Sequence, residues 1–277
     1  MSDSGFVSEE LLRQAERVLP DAVALRRQIH HHPELGLNLP RTQTTVLDAL
    51  RELDLDDVRV GSDVTSVVAD LRGGRAGAGG PVILLRADMD ALPMPEDTGL
   101  DYASEVDGAM HACGHDAHVA MLVGAARLLA ARRKELTGSV RFMFQPGEEG
   151  FHGARHMIDA GLLEHPDVDA AFALHVAPNL PSGSISTKGG ALMASADVIE
   201  IVVTGKGGHA STPYLANDPM PVAAEIVQAL QVMVTRRINA TAYSVSLWLI
   251  PAVGSSSRIM LAPPAIVMPT SSARCSA

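Results

Sequence analysis

MHACGHDAHVAMLVGAARLLAARRKELTGSVRFMFQPGEEG, residues 110–150, carries both the fold and the chemistry of this chain in one run. Its middle, His115–Ala130, is apolar and rich in alanine, a composition that predicts a helix. Ser139–Gln145 then reads as a strand, bounded by Gly138 before and Pro146-Gly147 after. Potential metal ligands crowd the start of the helix, where His111, Cys113, His115, Asp116 and His118 fall within nine residues. Two adjacent carboxylates, Glu148 and Glu149, follow the strand directly.

Outward from that run the same alternation continues. Helical periodicity covers Glu9–Val18, Asp21–His30 and Thr42–Leu53, and strand-like runs cover Val64–Leu71 and Val82–Arg86. Between those strands lies GGRAGAGG, Gly73–Gly80, which lacks the Lys-Ser/Thr ending of a phosphate loop and reads as a flexible connection. Downstream come a helix near Ala154–Ala160 and a strand at Ala170–His175. Strands alternating with helices at this spacing predict an α/β fold with helices on both faces of the sheet. The reactive side chains fall just past strand ends, where open α/β sheets place their sites. From about Pro181 the texture changes to a strand at Asp197–Thr204, a helix at Pro219–Val234 and a strand at Tyr243–Ile250. The expected division is 1–185 and 186–277, the second part smaller.

Composition narrows the function classes. Of 277 residues 47% are apolar and 19% charged, which excludes a disordered chain. A net charge of −10 without a Lys/Arg-dense segment argues against a nucleic-acid surface; Arg132, Arg133 and Lys134 read as a solvated helix end. MSDSGFVSEE at the start lacks the basic and apolar regions of a secretory signal, and no apolar run of ~18 residues predicts a membrane span. Cys113 and Cys275 sit in unlike contexts and do not suggest a disulfide framework. A cytoplasmic protein is expected.

Cysteine and histidine at the mouth of a helix offer soft and borderline metal ligands, and the helix N-terminus favours the thiolate. Glu148 and Glu149 at a strand exit can point in different directions, one toward a metal and one free as a base. His175 ends a very apolar strand, and Asp88 and Asp90 end another, on one side of it if the strand persists. Those aspartates are placed to orient ligand histidines. Each segment alone also has a plain structural reading: a buried cysteine, a solvated acidic turn, a satisfied core histidine, a turn cap.

Taken together, RRQIHHHPELG (26–36), RADMDALP (86–93), MHACGHDAH (110–118), QPGEEG (145–150), LHV (174–176) and GKGGHAS (205–211) resemble one family. It is that of the metal-dependent amidohydrolases, which includes hippurate hydrolases, N-acyl-amino-acid amidohydrolases and auxin-conjugate hydrolases. The resemblance spans about residues 20–245. It implies a mixed sheet flanked by helices as a two-metal catalytic domain, with an inserted α+β dimerisation or lid domain. By position, Cys113 resembles the bridging thiolate ligand, and His115, Glu149 and His175 the other metal ligands. Glu148 matches the general base and His209 the donor to the reacting carbonyl, often reaching across a homodimer; Asp90 belongs with the catalytic set. The implied cofactor is a pair of divalent ions, Zn²⁺ or Mn²⁺, with Co²⁺ or Ni²⁺ also compatible. The implied substrate is an N-acyl amino acid, with neither nucleic acid nor membrane as partner. No catalytic role falls to His30, His31 or His32.

The pattern departs from the family toward the end. The family uses one further histidine far downstream, yet no histidine follows His209 and no Asp or Glu follows Glu225. Residues 252–277 lose strand and helix periodicity, as an early termination or a frame slip after about Leu247 would produce. The alternative expectation is therefore a truncated, inactive relative that binds only metal or a partner chain, and a metal-storage or sensor protein is a third.

Overall fold

The computed structural model describes residues 4–77, 79–187, 189, 199–237, 246–250 and 256–262. The chain divides into two compact units, Met1–Leu180 and Pro181–Ala277. The first holds helices α1 (Ser4–His31), α2 (Pro40–Leu50), α3 (His115–Ala131) and α4 (Gly153–Asp159). Its strands are β1 (Asp57–Val60), β2 (Val67–Arg72), β3 (Val82–Asp88), β4 (Ser139–Gln145) and β5 (Ala170–Ala173). They form one mixed sheet in the order β1-β2-β4-β3-β5. β4, β3 and β5 run parallel, whereas β1 and β2 are antiparallel additions.

Period-two alternation along the strands sorts side chains to two apolar layers. Ala69, Leu71, Phe142 and Phe144 bury on one face against Val119, Leu122 and Val123 of α3 and Val46 of α2. Leu84 and Met143 bury on the other with Met157 and Leu162. Helices therefore cover both faces. α1 runs unbroken through Pro20 because its far half packs Leu25 and Ile29 into the first layer, offsetting the lost N–H. β1 escaped the sequence reading because Asp-Val-Arg-Val is short, lies on the sheet edge and is exposed at every position. β2 starts at Val67 rather than Val64, since Thr65 N–H turns away to Leu37 O (3.1 Å). β5 ends at Ala173, two residues before His175. Among the described residues no helix is long and apolar enough to cross a membrane.

The second unit carries β6 (Ile199–Thr204), α5 (Pro219–Arg237), β7 (Ser246–Ile250) and β8 (Ser256–Ala262). Its three strands are antiparallel in the order β6-β8-β7. β8 lies inside the stretch read as aperiodic. A central strand is fixed by backbone pairing on both edges, so it needs no alternating pattern of its own. Residues 197–198 and 243–245 of the expected strands, and Cys275, fall outside the described residues.

Two buried polar ties hold the first unit beyond its apolar layers. Arg141 on β4 is fully buried. Its Nε and Nη2 donate to Asp70 Oδ1 and Oδ2 (2.8 and 3.1 Å), and its Nη1 donates to the carbonyls of Leu162 and Glu164 (2.6 and 3.0 Å). It thereby clamps the chain leading into β5. Replacing it by Met leaves those carbonyls unpaired and Asp70 with only Arg59 Nη2 (3.0 Å) among its guanidinium partners, so Arg141→Met is expected to cost about 2 kcal/mol in urea unfolding; a loss under ~0.5 kcal/mol would refute the clamp.

The second tie is His30, near the end of α1. Its Nδ1 donates to Asp116 Oδ2 (2.8 Å) and its Nε2 to both Glu96 oxygens (3.2 Å each). Arg26 Nε also donates to Asp116 Oδ2 (3.0 Å). Ionised carboxylates only accept, so both ring nitrogens must carry hydrogen and the ring is an imidazolium. Burial opposes that charge, but Asp116 and Glu96 outweigh it and raise the pKa above 6.5. A folded pKa above the unfolded one gives stability that is complete below about pH 6.5 and lost as pH rises through the folded value. The stability gap between wild type and His30→Gln is accordingly expected to be widest near pH 6 and to narrow in alkali; a gap constant with pH would contradict the imidazolium.

Candidate metal centre

Three adjacent parallel strands deliver their carboxyl ends to one edge of the sheet. β3 runs out through Asp88 into Asp90, β4 through Gln145 into Glu148 and Glu149, and β5 toward His175. α3 begins at the same edge with Cys113 and His115. Residues up to 87 positions apart in sequence thus converge because parallel strands share a direction.

Asp90 joins three of these segments. Its carboxylate accepts the backbone N–H groups of Glu148 (2.9 Å) and Glu149 (3.0 Å), and its carbonyl accepts His115 Nδ1–H (2.8 Å). With the proton fixed on Nδ1, the other nitrogen of His115 has a lone pair free to act as a ligand atom. His115 Nε2 is buried, makes no hydrogen bond, and lies 3.5 Å from Asp88 Oδ2 and 3.9 Å from both Glu148 Oε2 and Glu149 Oε1. Burial works against charge on this ring, yet Asp90, Cys113 and Asp88 outweigh it and hold its pKa at about 11. Surroundings that favour a proton so strongly favour a divalent cation at the same nitrogen.

His175 is set in a matching way. Its Nδ1–H donates to Val176 O (2.7 Å), which leaves Nε2 facing Cys113 Sγ at 3.4 Å. The thiol contact raises the His175 pKa to about 9. Burial, with Glu148 beside it, pushes the Glu149 carboxyl up, a cost that a cation would remove. Cys113, His115 and His175 form one group whose ligand atoms lie within 4.8 Å of one another, and His115, Glu148 and Glu149 form another. A thiolate, two imidazole nitrogens and a carboxylate around a shared His115 suit a divalent ion, so the donor set fits the group. Glu148 is the more open carboxylate, 41% exposed against 23% for Glu149.

Buried residues lie behind these candidate ligands. Asp88 accepts from His118 Nδ1 (2.6 Å) and lies 2.7 Å from Arg86 Nη1; despite burial, those partners hold its carboxyl well below the usual range. Arg86 Nε in turn donates to Gln145 Oε1 (2.9 Å), bracing β3 against β4. His111 is pushed down to about 4 by burial and stays neutral. The sequence reading counted His118 only among the potential ligands of its cluster and gave no role to Arg86. The signal for His118 was its position three residues after His115, on one face of the same helix.

His209 belongs to the second unit. GKGGHAS folds back on 216–219: Lys206 and Asn217 exchange two backbone hydrogen bonds (2.8 Å each), and a Cβ on Gly208 would meet Ala216 Cβ at 2.8 Å. His209 Nδ1 accepts the N–H of Ser211 (3.1 Å) and lies 2.7 Å from Ser211 Oγ. Its proton is therefore on Nε2, and the side chain is exposed.

Known proteins resemble this chain in sequence and fold. N-acetylcysteine deacetylase of Bacillus subtilis is 46% identical over 217 residues, covering 78% of this chain and 56% of that protein. IAA-amino acid hydrolase ILR1-like 2 of Arabidopsis thaliana is 40% identical over 239 residues, covering 86% and 53%. The chain thus spans about half the length of these relatives. The crystal structure of Bacillus subtilis YXEP protein, described as a dinuclear metal-binding peptidase, superposes with a TM-score of 0.69 at 38% identity, over 89% of this chain and 64% of that one. Residues 84–269 match the sequence pattern of Peptidase family M20/M25/M40, and the chain belongs to that family.

Proposed function

We propose that this chain carries the metal centre of an amidohydrolase that cleaves N-acyl amino acids into a carboxylate and a free amino acid. The observation that carries this reading is the environment of His115 Nε2, a buried nitrogen with no hydrogen bond, aimed at one binding and one spare carboxylate. A storage site has no use for the spare one. Cys113, His115, Glu149 and His175 would hold a pair of divalent ions, Zn²⁺ or Mn²⁺, in the reducing cytoplasm that a thiolate ligand suits. A divalent ion bound there polarises an amide carbonyl and acidifies water.

The protein's own groups supply the rest. Glu148, the more open carboxylate, takes the proton from water and returns it to the leaving amine. Asp90 holds Glu148 and Glu149 by their backbone N–H groups, so the two carboxylates keep separate directions. His209, with its proton on Nε2, donates to the oxygen that becomes negative as the carbonyl is attacked, reaching it from the second subunit of a homodimer.

Metal analysis of the 277-residue chain tests the division of labour: Glu149→Gln is expected to lower bound Zn²⁺ or Mn²⁺ after dialysis, and Glu148→Gln to keep it. Turnover of hippurate and N-acetyl amino acids belongs to a chain extended to its relatives' length. There Glu148→Gln and His209→Ala should each lower kcat by ~10²-fold or more. Near-normal kcat in either variant removes that residue from the reaction. Metal uptake without hydrolysis in the extended chain would replace this reading with that of an inactive metal-binding relative.

A further inference from the structure

β5 ends at Ala173, so Leu174, His175 and Val176 have no sheet partner to hold them. Yet His175 must present Nε2 to Cys113 from a segment that no strand pairing constrains. His118 is the group that reaches across. Its Nε2 accepts the backbone N–H of Val176 at 3.0 Å, while its Nδ1–H is spent on Asp88 Oδ1 at 2.6 Å. Each bond dictates the other: the acceptor-only carboxylate fixes the tautomer that lets Nε2 accept. His118 is fully engaged at both nitrogens, so it is no ligand itself, although Asp88, His115 and His118 cluster closely enough to suggest one.

A second contact holds the same segment. Gly114 has φ +86°, and a Cβ built on it would sit 2.4 Å from Val176 Cγ2. Val176 is therefore held by its N–H and by its side chain, both against the start of α3. The His175 ring lies edge-on to His118 with centroids 4.8 Å apart, and His118 stacks on His115 at 5.4 Å.

We propose that His118 is a positioning residue for the metal centre: by accepting Val176 N–H it fixes the turn that carries His175, and so brings His175 to Cys113. This rests on the ligand assignment made above. The bond to Asp88 sets the tautomer, and the bond to Val176 is the one that acts on the ligand.

Three substitutions separate those two bonds. Gln offers a donor and an acceptor about as far apart as the two ring nitrogens, Asn reaches only Asp88, and Leu makes neither bond. Each variant of the 277-residue chain is titrated with Co²⁺, reading the thiolate-to-cobalt absorption of Cys113. Amide exchange of a peptide covering 174–177 is followed in the metal-free protein. His118→Gln is expected to bind Co²⁺ within about threefold of wild type, with 174–177 still protected. His118→Asn and His118→Leu should weaken Co²⁺ by about tenfold or more and expose that segment. Equal binding by Asn and Gln would mean that only the Asp88 bond matters, and wild-type binding by Leu that neither does; either overturns the proposal. If the Leu variant does not fold, the Asn–Gln comparison decides. His175→Ala is the control for the ligand assignment itself. Unchanged Co²⁺ binding there refutes that assignment, whereas weakened binding there beside an unaffected His118→Leu refutes this inference alone.

Discussion

Every segment that carries a proposed ligand, but one, is attached to Asp90. Its two carboxylate oxygens and its carbonyl oxygen are three acceptors in a fixed arrangement, and they meet two backbone N–H groups and one ring N–H. Because the Asp90 side chain is completely buried, those bonds form without competition from water. The exit of β4, the exit of β3 and the first turn of α3 become one rigid piece. The exception is the segment after β5, which is attached through Asp88, His118 and Val176. Two aspartates on alternate positions of one strand exit thus divide the centre between them.

This division explains the polarity of the site. Arg86, His115 and His118 surround Asp88 and keep it ionised, while Asp90 and Cys113 favour positive charge at His115. The result is a buried cluster whose charges are balanced around one nitrogen rather than paired off one by one. Coulombic attraction at this depth is far stronger than at the surface, so a small number of groups sets the preference for a cation.

The α/β class and most elements of the first unit could be read from the sequence because the alternation of apolar runs is strong there, as in Ser139–Gln145 and His115–Ala131. β1 was not legible, since an exposed edge strand leaves no apolar imprint, and β8 was not, since backbone pairing rather than patterning sustains it. Convergence of Cys113, His115, Glu148, Glu149 and His175 was legible only through motif resemblance, because sequence spacing does not say that β4, β3 and β5 are neighbours and parallel. The bonding of His118 was hidden for a different reason. A histidine in a histidine-rich motif looks like a ligand or filler until both of its nitrogens are seen to be taken.

The order in which these pieces leave the ribosome follows from the same topology. Asp88 and Asp90 emerge first, then Cys113 and His115 with α3, then Glu148 and Glu149, and His175 last, all before the second unit begins at Pro181. The four proposed ligands are therefore complete in the nascent chain while the β6-β8-β7 sheet is still unmade. Domains fold as units during synthesis, so the whole proposed ligand set can be assembled before the second unit has folded.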